Sequence, residues 1–246
     1  MPNHVGGNGS ARFKLRGPHA KTVFKRMSLS SAMRPELAFL FEIKTETQFL
    51  EVVETKHPVG SAAYEQVKKA YRINESAFKH ERRKSGEPYS RHSVRIALIL
   101  MLYLDVWDPD LVVGALLHDI MEKHRNRWRY ERLVREFNEN AATHIAEMTR
   151  PKETRKLNKR AVDVLYHLQL AGARRYTKLL KGVDRWDNVL TMWKHTAKER
   201  AAKLVETWEF ILPLIEEHDL EPFRKLSAGL RSSMELLATE LANGDT

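Results

Sequence analysis

The chain has 246 residues, of which 42% are hydrophobic and 30% charged, so it can bury a sizeable core and is not wholly disordered. It contains no cysteine, which excludes disulfide scaffolds, thiolate metal sites and cysteine nucleophiles, so any metal must be held by imidazole and carboxylate groups. The formal net charge of +10 suits an anionic partner, either a phosphorylated small molecule or nucleic acid, although a solubilising surface is the simpler alternative.

The two ends of the chain differ in charge. Seven basic residues precede the first acidic one, Glu36, and residues 1–35 show no apolar periodicity, so we predict a mobile basic arm there. From Leu204 to the end, nine acidic residues stand against three basic ones. The sequence therefore predicts an arm at 1–35, one domain at 36–200 and an acidic helical extension at 201–246.

Helix formers dominate from about residue 35 onward, and no hairpin signal separates alternating strands, which predicts an all-α fold. Asp108 followed by Pro109 is a helix-start signal. The longest apolar run, Ile96 to Leu104, is too short to span a bilayer, and the N-terminus is not a secretory signal, so we expect a cytoplasmic protein without a membrane partner. The predicted helices lie at about 46–55, 60–80, 92–104, 109–122, 129–138, 141–149, 156–171, 173–194, 198–218 and 222–241.

The first motif is the basic loop RKSGEPY, from Arg83 to Tyr89, which runs into a helix carrying His92. Arg83 and Lys84 are suited to contact phosphate oxygens. Alone, His92 would more often be an ordinary surface or core histidine than a metal ligand.

The second motif runs from Asp110 to Glu122. Its apolar residues surround the helix on all sides, which indicates burial, yet His118, Asp119 and Glu122 lie near its end. Burying three titratable groups without partners costs several kcal/mol. A divalent cation would compensate them, because neutral imidazole and carboxylate are good ligands. The alternative is a structural His–Asp hydrogen-bonded pair.

The third motif is a helix around residues 179–193 with an apolar stripe and a polar stripe. Asp184 lies at the border of the apolar face, where a merely solvated aspartate gains little. A surface network of Asp184 with Arg185 remains the alternative. The polar stripe consists of Lys181, Asp184, Asn188, Thr191 and His195.

Together the three motifs resemble the HD superfamily of metal-dependent phosphohydrolases. The exact residues of the motifs resemble one branch of this superfamily, the alarmone hydrolase domain of the RelA/SpoT type. The resemblance covers roughly residues 65 to 195. The residues that carry it are Ala70-Tyr71, His80, Arg83 to Tyr89, His92, Ala115 to Asp119, Glu122, Lys181, Asp184-Arg185 and Asn188.

The resemblance implies an HD-domain helical bundle and one divalent metal, expected to be Mn. It also implies removal of the 3′-pyrophosphate from ppGpp or pppGpp, the alarmones of the stringent response. The implied metal ligands are His92, His118, Asp119 and Asp184. The implied substrate-binding residues are Arg83, Lys84, Lys181, Asn188 and Thr191, with Glu122 as general base and Asn188 positioning the nucleotide.

Two alternatives remain open, because Lys123 stands where the family usually has an acidic residue. One is an HD phosphohydrolase acting on an adenine alarmone, NADPH or another nucleotide. The other is a catalytically weakened nucleotide- or RNA-binding protein, in which Trp128 and Tyr130 could stack on bases. Its basic residues would be Lys123, Arg125, Arg127, Arg129, Arg132 and Arg135. We favour the interpretation that these basic residues form the rim of a cleft that binds a small-molecule nucleotide. The sequence predicts no oligomeric state.

Overall fold

The protein is described here by a computed structural model, which covers residues 35–155 and 157–244. All the regular secondary structure of this part of the chain is helical, which confirms the predicted all-α class. The arm predicted at residues 1–35 lies, except for Pro35, outside the described residues. None of the helices in the described part combines the length and apolar character that a membrane crossing requires.

Thirteen α-helices follow a single 3₁₀ turn at Pro35–Leu37 within the described residues, and two of them continue into π-helical turns at Ile99–Tyr103 and Thr207–Ile211. They are α1 (Phe39–Glu42), α2 (Glu46–Glu54), α3 (Ala62–Ala77), α4 (Ser90–Leu98), α5 (Pro109–Leu117), α6 (Ile120–Lys123), α7 (Tyr130–Glu136), α8 (Glu139–Met148), α9 (Lys159–Ala171), α10 (Arg175–Leu190), α11 (Ala197–Glu206), α12 (Leu212–Glu216) and α13 (Glu221–Asn243).

Helix α5 carries the second motif into the core. Its start is as predicted, since the carboxylate of Asp108 accepts hydrogen bonds from the backbone N–H groups of Asp110 (2.8 Å) and Leu111 (3.3 Å). Every residue from Leu111 to Leu117 is buried, because the helix packs against α3, α4, α8 and α10. The last buried turn therefore delivers His118 and Asp119 to the middle of the molecule.

The prediction of one helix at 109–122 is wrong in one respect. The observed helix α5 ends at Leu117, and a separate short helix, α6, begins at Ile120. Nδ1 of His118 donates a hydrogen bond to the carbonyl of Ala115 (3.0 Å). In a continuous helix this carbonyl would accept from the N–H of Asp119. The predicted helix at 173–194 is likewise too long, because α10 ends at Leu190.

Helix α10 lies at the centre of the bundle and packs against α4, α5 and α8 on one side and α12 and α13 on the other. Trp186 is fully buried, and its indole N–H donates to the hydroxyl of Ser233 on α13 (2.9 Å). Gly229, also on α13, lies directly against the same ring. The last helix of the predicted extension is therefore part of the common core.

This contact predicts that Gly229→Ala destabilises the fold. A β-carbon at Gly229 would stand 2.5 and 2.6 Å from two ring atoms of Trp186, and the bond to Ser233 resists movement of the ring. Overpacking costs about 1–3 kcal/mol, partly offset by the better helix propensity of alanine, about 1 kcal/mol. Urea unfolding measures the difference. Gly172→Ala, where the added β-carbon would lie 3.7 Å from the carbonyl oxygen of Leu168, is the control and should be neutral. Equal effects of the two substitutions would contradict the contact.

Candidate metal centre

The RKSGEPY loop forms a tight turn that directs three of its side chains inward. The N–H of Gly86 donates to the carbonyl of Arg83 (2.9 Å), and the N–H of Arg83 donates to that of Glu87 (3.0 Å). Gly86 has φ of 88°, a left-handed conformation that favours glycine. The turn places Arg83, Glu87 and Tyr89 against α4 and α10.

The four predicted metal ligands converge at the junction of α4, α5 and α10. The Nε2 atom of His92 lies 3.1 Å from Oδ1 of Asp184, and Nε2 of His118 lies 3.8 Å from the same oxygen. His118 Nε2 is also 3.2 Å from Oδ2 of Asp119. Donor atoms of His92, His118 and Asp119 all lie within 4.8 Å of one another. The structure thus brings together residues that are up to 92 positions apart in the sequence.

Both imidazoles are oriented by a hydrogen bond at Nδ1, the ring nitrogen that points away from the centre. Nδ1 of His92 is 2.7 Å from Oδ2 of Asp187, and Nδ1 of His118 is 3.0 Å from the Ala115 carbonyl. Both partners can only accept, so each Nδ1 carries the proton and each Nε2 faces the centre with a lone pair when the ring is neutral. Metal-ligating histidines are typically held by such partners.

The electrostatics of the cluster also fit a cation. Burial opposes protonation of His118, but the neighbouring carboxylates of Asp119 and Asp184 outweigh it and raise the pKa of the imidazole to about 9. Burial would raise the pKa of Asp119 and Asp184, but nearby positive groups hold both well below the ordinary range. Two ionised carboxylates thus hold a proton on His118, and two imidazoles with two carboxylates suit a divalent metal.

A buried ion pair that the sequence motifs did not predict supports the Asp187 carboxylate behind His92. Asp187 is fully buried and accepts from Arg95, with Nε at 2.5 Å from Oδ1 and Nη2 at 3.0 Å from Oδ2. Arg95 also forms a two-pronged pair with Glu87 (2.7 and 2.9 Å). An arginine at the second position of the otherwise apolar stretch 94–104 was the available signal, because a buried arginine must find a carboxylate.

Three predicted substrate-binding residues are linked by hydrogen bonds. Nη2 of Arg83 donates to Oδ1 of Asn188 (2.8 Å) and, more weakly, to the hydroxyl of Thr191 (3.4 Å). The amide nitrogen of Asn188 donates to Oδ1 of Asp184 (2.9 Å). Asn188 therefore joins Arg83 to the metal cluster. Thr191 is buried beneath Arg83 and is not one of the residues lining the cleft.

The two predicted lysines already have acidic partners. Lys84 is exposed and forms an ion pair with Glu199 on α11. Lys181 is buried, with its ammonium 2.8 Å from Oδ2 of Asp184. Both line the cleft, so their contact with a substrate stays a prediction.

Glu122 and Lys123 lie at the edge of the site. Glu122 is exposed, lines the cleft and accepts a hydrogen bond from the backbone N–H of Arg150 (3.3 Å). The Lys123 ammonium lies over the ring of Tyr89, 4.5 Å from its centroid, and the Tyr89 hydroxyl donates to Asp119 (2.5 Å). Tyr89 therefore contacts Lys123 with its ring and Asp119 with its hydroxyl, and so connects the lysine to the cluster.

The site lies at the base of a cleft of about 400 Å³. Its walls are rich in cationic side chains, which suits an anionic ligand. These cations are Arg82, Arg83, Lys84, Arg150, Lys181, Arg185 and Lys203.

The aromatic residues of the basic run are not presented for stacking. Trp128 is only 7% exposed, and the guanidinium of Arg132 lies 4.0 Å from the centroid of its ring. Tyr130 is half-buried, and its hydroxyl is 3.2 Å from that of Thr143. The stacking platform that an RNA-binding role would use is therefore absent at these two residues.

Comparisons with known proteins show what the chain is similar to. Residues 70–208, more than half of the chain, match the HD domain family. The chain is 29% identical over 150 residues to a guanosine-3′,5′-bis(diphosphate) 3′-pyrophosphohydrolase of Aquifex aeolicus, and 28% identical over 156 residues to a probable chloroplastic GTP diphosphokinase of Arabidopsis thaliana. Each match covers 61% of this chain and 21% of the relative, so the chain spans about a fifth of the length of these relatives.

The fold also has a solved counterpart. A structure described as a metazoan ortholog of SpoT that hydrolyses ppGpp superimposes with a TM-score of 0.56 and 22% sequence identity. The match covers 70% of this chain and 95% of that protein. At this identity the likeness establishes the shared helical architecture.

The pairing of His92 with Asp187 predicts that Asp187→Asn weakens metal binding about 10- to 100-fold. Arg95 has only donors and contacts both oxygens of Asp187, and Nδ1 of His92 donates to one of them. An asparagine has a single oxygen, so its NH₂ group must face a donor in either orientation. The neutral amide therefore supports the proton on Nδ1 less well than the carboxylate does, and the lone pair of Nε2 is held less firmly toward the centre.

Calorimetric titration with Mn²⁺ measures this affinity, and circular dichroism verifies that the variant is folded. Asp219→Asn, at a carboxylate whose side chain is 90% exposed, is the control and should bind like the wild type. Unchanged affinity in Asp187→Asn would contradict the role of Asp187.

Proposed function

The chain belongs to the HD domain family, and from this premise we propose that it is a metal-dependent pyrophosphohydrolase that removes the 3′-pyrophosphate from a (p)ppGpp-type nucleotide. The observation that carries the proposal is the convergence of two imidazole Nε2 atoms and two carboxylates at the base of a cationic cleft. Sequence similarity to a guanosine-3′,5′-bis(diphosphate) 3′-pyrophosphohydrolase supports this class of substrate.

In this proposal His92, His118, Asp119 and Asp184 hold one divalent cation, for which Mn is our expectation. When bound, such a cation supplies Lewis acidity, which lowers the pKa of a water molecule and draws electrons from phosphorus. The His118 side chain must lose its second proton to serve as a ligand, since the pKa of its imidazole is raised to about 9.

The residues around the cluster bind and orient the substrate. The guanidinium of Arg83 is positioned by Asn188, so it presents a fixed cation beside Asp184 for a phosphate or the base. Glu122 takes a proton from the attacking water as general base. Water adds to the phosphorus next to the ribose, the bond from phosphorus to the 3′ oxygen breaks, and the 3′ oxygen recovers a proton. The products are pyrophosphate and a free 3′ hydroxyl.

A panel of nucleotides tests the proposal. The protein is incubated with ppGpp, pppGpp, the adenine counterparts and NADPH, each with Mn²⁺, Mg²⁺, Co²⁺ or Zn²⁺, and pyrophosphate and phosphate are measured separately. Pyrophosphate from ppGpp or pppGpp with Mn²⁺ is the expected result. Release only from another nucleotide would assign a different substrate, and binding without any release would indicate a nucleotide-binding protein.

Glu122→Gln should lower the turnover number about a hundredfold, because the amide cannot take the proton that a positioned general base removes. Substrate affinity should change little, since Gln keeps the acceptor for the N–H of Arg150. Steady-state release of pyrophosphate from ppGpp separates the two parameters. Glu131→Gln, at an exposed residue of α7, is the matched control. A silent Glu122→Gln would place the base elsewhere.

A further inference from the structure

A second cavity continues from the cleft. This outer groove has a volume of about 570 Å³ and lies between the end of α6 with the residues after it and the residues that follow α8. Glu122 and Arg150 line both cavities, so the two meet at these side chains. The outer groove is lined by Glu122, Lys123, Arg125, Asn126, Arg150, Pro151, Lys152 and Glu153.

Hydrogen bonds join the two walls of the outer groove. Nη2 of Arg125 donates to the carbonyl of Arg150 (2.8 Å), and its Nε donates weakly to the carbonyl of Glu122 (3.4 Å). The N–H of Arg150 in turn donates to the carboxylate of Glu122 (3.3 Å). These bonds hold the Arg125 guanidinium in place at the junction.

Two cations of the outer groove, Arg125 and Lys152, differ from several in the cleft in how their charge is compensated. In the cleft, Lys84, Lys181 and Arg185 form ion pairs with Glu199, Asp184 and Glu206. In the outer groove, the hydrogen bonds of Arg125 go to carbonyl oxygens only.

Lys152 is exposed, and no carboxylate among residues 35–155 and 157–244 lies within ion-pair distance of its ammonium or of the Arg125 guanidinium. The two other cations of the outer groove have acidic partners, since Lys123 lies 3.9 Å from Glu81 and Arg150 lies 2.7 Å from Asp163. Arg125 and Lys152 therefore offer positive charge that an anion can neutralise.

The substrate of the proposed function carries two phosphate chains on one ribose. The chain that is cleaved must lie at the metal cluster, beside Glu122, and the other chain needs cations outside the cluster. We propose that this uncleaved 5′ phosphate chain binds in the outer groove, where Arg125 and Lys152 neutralise it. The inference rests on the proposed function and adds that the enzyme distinguishes its substrates by the length of their 5′ phosphate chain.

The test compares guanosine 3′-diphosphates that carry one, two or three phosphates at the 5′ position. Dissociation constants are measured by calorimetry in EDTA, where a metal-dependent hydrolase leaves the nucleotides intact. In the wild type, each added 5′ phosphate should tighten binding. Lys152→Gln and Arg125→Gln should each reduce the gain from one to three phosphates about fivefold, the equivalent of about 1 kcal/mol for an exposed ion pair.

Lys56→Gln is the matched control, because Lys56 is exposed and does not line either cavity. It should keep the wild-type series. Equal series in Lys152→Gln, Arg125→Gln and Lys56→Gln would overturn the subsite. Pyrophosphate release by the same wild-type preparation in Mn²⁺ tests the proposed function separately, so either idea can fail while the other stands.

Discussion

The site depends on one histidine held between two aspartates of the same buried helix. Asp184 and Asp187 lie one turn apart on α10, and His92 from α4 contacts the first through Nε2 (3.1 Å) and the second through Nδ1 (2.7 Å). Asp187 fixes the ring and its tautomer, which leaves Nε2 to meet the other donor atoms. Any shift of α4 along α10 would break both contacts. The packing of these two helices therefore fixes the geometry of the centre.

Charged groups at the centre of a bundle are costly unless each has a partner, and here the partners come from several elements. Asp187 is compensated by Arg95, which also pairs with Glu87 of the RKSGEPY loop. Asp184 is compensated by Lys181 from its own helix. Removing one member would leave an unpaired buried charge, so the motif residues have a structural role as well as a chemical one.

The distribution of positive charge would let the proposed anionic nucleotide bind beside the acidic cluster. Several cleft cations are tied to carboxylates and help to build the walls, whereas Arg125 and Lys152 hold charge further out. The basic residues that follow α6 line two different cavities. Arg125 faces the outer groove, while Arg127 and Arg132 line a separate cavity against α3.

Local signals in the sequence were enough to predict most of the helices and the cap at Asp108, because periodicity and capping depend on near neighbours. The four residues that meet at the centre were predicted from the resemblance of three motifs to a known family. The break after Leu117 was missed, because it depends on the His118 ring taking the carbonyl of Ala115. Asp187 and Arg95 acquire their role only when α4 packs on α10, and the outer groove exists only where two loops meet. Such contacts join residues 92 or 25 positions apart, and only the tertiary structure decides them.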